Sequence, residues 1–532
     1  MLSRSARRAL AAVAVVLLAA GCARGGGEPP RAAVPAPSSD PALVQTTTGT
    51  LRGQVTRGYR VFAGIPYAAA PIGPLRFQPP APAPAWEGVR DATRPGPRCI
   101  QDPGGDPEFG RQTDEDCLTV NVWTPGGSVG ARPVMVWIHG GGFINGSGGM
   151  FDARWLASRG DIVVVTLNYR LGTLGFLAHP DLGPAGAVGN YGLADQQAAL
   201  RWVRDNIANF GGDPAKVTIA GESAGGMSVC DHLVAPDSAG LFRAAIIMSG
   251  PCQVQADLPT AERASLDYAA EIGCGDRQSA AQCLRDLPVD KLRKPIRYVH
   301  LGAETMSGPV TGTSVLPVDP VAGMADGRGA PVPVMIGTNR DEFTLFTGLR
   351  YLRLGERFSA EDYPSLLAEI FGPDADAVAA HYPVERYDSV PLAYSAAVTD
   401  GMFSCVADRI GDELAETAPV YAYEFNDRDA PAPEPLRTLP FRVGASHSLE
   451  LRYLFDVGGA PPLSAPQQAL SDAMIDYWSG FVSTGVPRAP GQPEWPDVDP
   501  DGARMSLQPD GSRVSTTFDD AHQCEFWASL EG

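Results

Sequence analysis

The sequence predicts an α/β protein built on one large, mostly parallel central sheet with helices on both faces, and three observations predict it. Two runs, Pro133-Val-Met-Val-Trp-Ile-His139 and Asp161-Ile-Val-Val-Val-Thr-Leu-Asn168, are apolar at nearly every position, as strands covered from both sides require. Asp195–Phe210 sets Ala198, Ala199, Trp202, Val203 and Ile207 at helical spacing, and Gly211-Gly-Asp-Pro214 stops it. The β-branched run Val217-Thr-Ile-Ala220 then turns through Gly221-Glu-Ser-Ala-Gly225 into a further helical segment. Strands that alternate with helices imply parallel, doubly wound pairing.

Taken in order, the chain opens on Arg4, Arg7 and Arg8 before the apolar run Ala9–Ala20, which is too short for a bilayer span and reads as an export signal over 1–22. It ends Leu-Leu-Ala-Ala-Gly-Cys22, similar to the lipobox of bacterial lipoproteins, so Cys22 is expected to be lipidated at the cell envelope. The alternative is an ordinary cleaved signal and a secreted protein. Residues 23–43, rich in Gly, Pro and Ala, read as a disordered linker, and 44–532 as the folded domain. Net charge is −19 with no basic block after the leader, which argues against a nucleic-acid partner.

Beyond Cys22 stand eight cysteines, an even count that suits disulfides in an exported protein. No C-x-x-C pair and no cysteine–histidine cluster has zinc spacing, so no metal site is expected. Further strands are expected at Thr119–Trp123, Ala244–Met248, Val332–Ile336 and Val420–Phe425. There is no internal repeat.

Gly221-Glu-Ser-Ala-Gly225 has the G-x-S-x-G pattern of a nucleophile elbow, a turn so tight that glycine must flank the serine on both sides. Gly126-Gly-Ser-Val-Gly130 fits the same pattern, but no helix follows it, so it reads as a hairpin or crossover loop. Context selects Ser223. Acyl transfer by serine also needs a base, an acid that orients it and donors for the oxyanion. His139-Gly-Gly-Gly142 after a buried strand offers backbone N–H groups. If the chain order is Ser, acid, His, the bases to consider are His300, His381, His447 and His522. Asp341 and Glu342 follow the strand Val332–Ile336 and are the leading acids, at the strand end where open α/β sheets carry chemistry.

Phe62-Ala-Gly-Ile-Pro-Tyr67 with Leu75-Arg-Phe77, Glu115-Asp-Cys-Leu118, Asn168-Tyr-Arg-Leu-Gly172, Gly192-Leu-Ala-Asp-Gln196, residues 206–214 and 221–226 stand in the order and form of one family. From Val44 to the C-terminus the chain resembles the type B carboxylesterases, the cholinesterase-like family of α/β-hydrolases. The resemblance implies the α/β-hydrolase fold and hydrolysis of small-molecule esters without a cofactor. It implies Ser223 as nucleophile, Glu342 as acid and His447 as base, with oxyanion donors at Gly141, Gly142 and Ala224. Glu222 and Ser249 are implied as supporting residues. It also implies the bridges Cys99–Cys117, Cys274–Cys283 and Cys405–Cys524, leaving Cys230 and Cys252. Two departures bear on loop shape: Phe343 stands where the family has glycine after the acid, and Thr311–Thr313 replaces its Asp-Gly.

A catalytic imidazole is expected to titrate near about 6 to 7. The family also holds non-catalytic adhesion members on the same fold, which lack catalytic residues that this chain keeps. Cholinesterases hold their cation against a tryptophan in the loop that corresponds to Cys99–Cys117. Here that loop has seventeen residues, no tryptophan, and Phe109 as its one aromatic, so neutral esters are expected. Its acidic residues, Asp102, Asp106, Glu108, Asp114, Glu115 and Asp116, are the feature that would instead draw cations. The lipid anchor has its own check: Cys22→Ser should move the protein from the membrane to the soluble fraction, and a wild-type chain found wholly soluble contradicts it.

Overall fold

The computed structural model describes residues 40–530 apart from 103–110, 128–129, 303, 356–357 and 499–501. Cys22, the leader and the linker to residue 39 lie outside the described residues, as do Asp106, Glu108 and Phe109. The compact unit begins at Asp40, ahead of Val44, because Leu43–Gln45 already pairs antiparallel with Thr50–Arg52.

Among the described residues, eleven strands form the main sheet: β1 (Gln54–Val55), β2 (Tyr59–Pro66), β3 (Thr119–Pro125), β4 (Arg132–Ile138), β5 (Val163–Leu167), β6 (Gly212–Glu222), β7 (Ala244–Met248), β8 (Val334–Asn339), β9 (Val420–Phe425), β10 (Arg504–Leu507) and β11 (Arg513–Ser515). Their spatial order is β11-β10-β9-β8-β7-β6-β4-β5-β3-β2-β1. Neighbours from β5 through β4 and β6 to β10 are parallel. The edges, β1–β2–β3–β5 and β10–β11, are antiparallel. Because β5 lies between β3 and β4, the Gly126–Gly130 segment joins strands that are not neighbours and is a crossover. Its Ser128 is outside the described residues.

The all-apolar strands follow from two separate cores. In β4, Val134, Val136 and Ile138 enter one core while Met135 and Trp137 enter the other, the period-2 alternation of a strand with no wet face. Helices α1 (Tyr191–Asn206) and α2 (Ala224–Val234) bury Leu200, Val203, Met227 and Leu233 in the first core. Helix α3 (Ala465–Thr484) buries Met474, Trp478 and Phe481 in the second. Each such side chain contributes about 1.5–3 kcal/mol relative to exposure. The expected helix at Asp195–Phe210 is α1, which begins four residues earlier and closes in a tighter turn over Ile207–Phe210. Gly211, at φ 89°, makes the left-handed exit, and β6 starts directly after it.

Register brings the chemistry to one edge. Ile138 lies opposite Gly221, Glu222 opposite Met248, and Met248 opposite Gly337. The segments that follow β4, β6, β7 and β8 therefore leave the sheet side by side, carrying Gly140–Gly142, Ser223, Ser249 and Arg340–Glu342. Two buried ion pairs brace the surrounding loops. Arg170 Nη2 stands 2.7 Å from Asp195 Oδ1, and Arg76 Nη2 stands 2.6 Å from Glu115 Oε2. Four disulfides close the unit: Cys99–Cys117, Cys274–Cys283, Cys405–Cys524, and Cys230–Cys252, which ties α2 to the segment after β7.

Candidate active site

Ser223 sits between β6 and α2 at φ 57° and ψ −124°, a conformation that a non-glycine residue adopts only when its surroundings enforce it. Close packing enforces it here. A Cβ on Gly225 would lie 2.0 Å from the Ile138 carbonyl oxygen, and one on Gly140 would lie 3.0 Å from Ser223 Cβ. The elbow and the glycine loop are thus pressed together, and any added side chain separates them. The Ser223 backbone is pinned from both sides, its N–H to Met248 O and its C=O accepting from Met227.

Gly141 and Gly142 follow at φ 102° and 59°. Their N–H groups and that of Ala224, at the first turn of α2, reach no backbone acceptor among the described residues. The Ala224 N–H is one of the donors that every helix start leaves unpaired. Donors held at the positive end of a helix beside a half-buried serine suit a developing oxyanion.

Glu342 is fully buried. Its Oε1 accepts from the Asn339 N–H at 2.7 Å, and its Oε2 is 2.5 Å from His447 Nδ1. Asp341, the other acid weighed, clamps the loop instead: Arg428 grips its carboxylate, which also accepts from the Ala445 N–H at 2.9 Å. The remaining histidines stand elsewhere. His300 and His381 are exposed, the latter stacked on Phe526. His522 is buried with Asp400 on Nδ1 and Glu424 on Nε2, so neither nitrogen is open.

No hydrogen bond joins Ser223 to His447 in this geometry. His447 Nε2 lies 3.2 Å from Glu222 Oε1 and has no hydrogen-bond partner among the described residues. Glu222 itself accepts from the Ser448 hydroxyl at 2.5 Å. Ser249 is buried beside this group at φ 49°, its N–H bonded to Gly337 O and its hydroxyl without a partner.

A third buried carboxylate, Glu450, carries no motif in the sequence. Glu450, three residues past His447 on a short helical turn, shares Asn339 Nδ2 with the Ser446 carbonyl. Burial pushes its carboxyl up to about 8, with Glu222 and Glu342 nearby adding to the rise. Glu222 is likewise raised by burial, against the pull of His447 and Ser448. For His447, burial acts downward, but Glu222 and Glu342 outweigh it and hold the imidazole up at about 9. Carboxylates at both ring nitrogens thus place His447 above the range of about 6 to 7 expected of a catalytic imidazole. These groups titrate together.

Of the two departures, Phe343 is accommodated without strain. It has φ −76°, where glycine is not needed, and its buried ring packs 5.0 Å from Phe346. Thr313 is bound to Asn190 Nδ2 at 2.8 Å, which fixes the second segment. Phe346 and Phe403 stand 5.1 and 5.5 Å from the His447 ring, and Met306 covers Gly142, giving the site an apolar wall. Phe403 reaches it from a π-turn, Asp400–Ser404, inside a long helix.

Comparison with known proteins finds that residues 40–527 match the carboxylesterase family. Fumonisin B1 esterase of Sphingopyxis macrogoltabida is 36% identical over 505 residues, covering 91% of this chain and 89% of that protein. Cocaine esterase of Homo sapiens is 34% identical over 526 residues, covering 91% and 90%. Para-nitrobenzyl esterase of Bacillus subtilis (strain 168) is 34% identical over 464 residues, covering 84% and 90%.

The electrostatics make a checkable statement about one proton. Followed by NMR, the His447 imidazole should titrate well above 6.5, toward about 9, being cationic below the midpoint and neutral above it. Glu222→Gln removes a carboxylate 3.2 Å from Nε2 and should lower that midpoint. A wild-type midpoint at or below 6.5 contradicts the account.

Proposed function

The chain belongs to the carboxylesterase family and hydrolyses carboxylic esters, and on that premise we propose that Ser223, His447 and Glu342 perform the acyl transfer. The observation that carries this reading is the 2.5 Å contact between His447 Nδ1 and Glu342 beside a serine held in an elbow. Ser223 Oγ attacks the ester carbonyl as His447 Nε2 takes its proton. The carbonyl oxygen gains the electron pair and rests on the N–H groups of Gly141, Gly142 and Ala224. His447 then protonates the leaving alcohol as the C–O bond breaks, and a water activated by the same imidazole releases the acid from the acyl-serine. The Ser223–His447 hydrogen bond forms with substrate in place, as such contacts commonly tighten in the Michaelis complex. Glu222 supports the imidazolium and orders Ser448. The adhesion alternative on this fold is not favoured beside these relatives.

Neutral esters are the substrates this site favours. The wall beside His447 is apolar, and the carboxylate at its Nε2, Glu222, is engaged by Ser448 and by the imidazole itself. The Cys99–Cys117 loop brings no tryptophan for a cation. The named substrates of the three relatives, fumonisin B1, cocaine and a para-nitrobenzyl ester, differ widely, which supports a broad rather than dedicated site.

Two measurements test the reading. His447→Ala and Glu342→Gln should each lower kcat by about 10⁴-fold, while His381→Ala and His522→Ala, normalised to folded protein, should cost far less. An equal loss at His381 overturns the assignment. For substrate class, butyrylcholine and an uncharged butyrate ester of similar alcohol reactivity should be compared at physiological salt. A choline preference above about tenfold in kcat/KM, roughly 1.4 kcal/mol, rules the neutral-ester reading out.

A further inference from the structure

His522 is buried as deeply as His447, and both of its ring nitrogens are taken. Nδ1 bonds Asp400 Oδ1, and Nε2 stands 2.8 Å from Glu424 Oε1. Arg340 Nη1 comes within 3.0 Å of that same carboxylate oxygen and of Nε2. The second oxygen of Asp400 accepts from the Tyr382 hydroxyl at 2.8 Å, and that hydroxyl accepts from Trp527 Nε1 at 2.7 Å. Burial pushes the imidazole down, but the carboxylates on its two nitrogens outweigh this and raise it, so the ring donates from both sides. Burial works upward on both carboxyls as well; it prevails at Asp400, whereas His522 and Arg340 outweigh it at Glu424. Removing the central cation from such a cluster leaves two buried carboxylates uncompensated.

What this bridge holds is the loop of the proposed acid, from both of its ends. One arm runs through Asp400: the residue before it, Thr399, accepts the Phe343 N–H on its hydroxyl at 2.9 Å, directly after Glu342. The other arm runs through Glu424 to Arg340, two residues before Glu342, and the Arg340 N–H also bonds Phe425 O at 3.0 Å. Segments on either side of Glu342 therefore meet at one imidazole. The Asp400 arm continues into the π-turn Asp400–Ser404, which sets Phe403 5.5 Å from the His447 ring. Cys405, next along, is bridged to Cys524, two residues past His522. With no nitrogen to spare, the His522 ring exchanges no proton with a substrate, and its reach into the site is through these bonds.

We infer that His522 is a positioning residue for ester hydrolysis: by joining Asp400 to Glu424 it fixes the carboxylate of Glu342 and, through it, the ring of His447. This rests on Glu342 being the acid of the reaction. A displaced Glu342 holds Nδ1 less closely, so the effect falls on the chemical step and leaves binding of the ester alone.

The test compares wild type, His522→Gln and Glu342→Gln as full chains, with kcat and KM referred to folded protein and the His447 midpoint followed by NMR. His522→Gln should lower kcat about tenfold while changing KM less than about twofold. It should also lower the His447 midpoint, because Glu342 no longer supports the imidazolium as closely. A loss of stability alone moves neither quantity in the folded fraction. Added to Glu342→Gln, the same substitution should move neither kcat nor the midpoint further, since the group it acts through is already gone. Should His522→Gln fail to fold, Thr399→Val removes only the hydroxyl that receives the Phe343 N–H, and a fall in both kcat and midpoint is expected of it. A kcat within about twofold of wild type with an unmoved midpoint, in whichever of these variants folds, overturns the inference. An undiminished effect in the Glu342→Gln background overturns it as well. If Glu342→Gln itself leaves kcat near wild type, the assignment of the acid fails and takes this inference with it; a large loss there and none in His522→Gln refutes this inference alone.

Discussion

One imidazole buried between two carboxylates constrains the rest of this molecule. Taking charges out of water costs several kcal/mol each unless geometry and hydrogen bonds compensate. Glu342 is compensated by the Asn339 N–H and by His447, Glu222 by Ser448 and the other face of the same ring, Glu450 by Asn339. Asn339 ends β8, and His447 and Ser448 stand in the long connection after β9. The loops must therefore be held at fixed relative positions, which explains the density of bonds between residues 339–342 and 445–447. Ser223 adds its own constraint: a strained backbone persists only where neighbours leave it no alternative.

Much of this was legible in the sequence, for stated reasons. Strands with two buried faces leave unbroken apolar runs, and β4, β5, β7 and β9 were read from them within a residue or two. Strands β1, β2, β10 and β11 leave no such run: β1 and β11 are two- and three-residue edge strands with exposed residues, β2 is longer but interrupted by Arg60 and Gly64, and β10 is a buried stretch of mixed polarity, Arg504-Met-Ser-Leu507. The serine, the glycine loop and the pair of candidate acids followed from motif and position. Choosing Glu342 and His447 among their rivals needed the family resemblance, since nothing local to Asp341 or His522 excludes them. What tells against them is long-range packing: Asp341 is engaged by Arg428 and the Ala445 N–H, and both His522 nitrogens are hydrogen-bonded, whereas His447 Nε2 is not. Glu450 lay three residues from His447, and a carboxylate one helical turn past a candidate base was the available signal.

The motifs that reveal the family mostly do not touch the chemistry. Arg76 of the Leu75-Arg-Phe77 motif is the partner of Glu115 in another, and Arg170 is the partner of Asp195. Asn168 bonds Pro97 O, Cys117 O and the Gly148 N–H at once. Asn206 accepts from Thr47. Such residues read as signatures because each has a polar partner far away in sequence and no substitute of the same shape and charge. They stabilise the frame on which a catalytic loop is free to vary, as Phe343 in place of glycine illustrates.

The order of the parts along the chain has a consequence for its synthesis. The glycine loop and Ser223 belong to the first half, Glu342 comes later, and His447 lies within the stretch that Cys405–Cys524 closes near the very end. With the proposed triad, a growing chain that folds from its N-terminus presents the elbow serine before its base, His447, has been made. On that reading reactivity is tied to completion, and a chain interrupted before residue 447 lacks the base that the proposed mechanism uses.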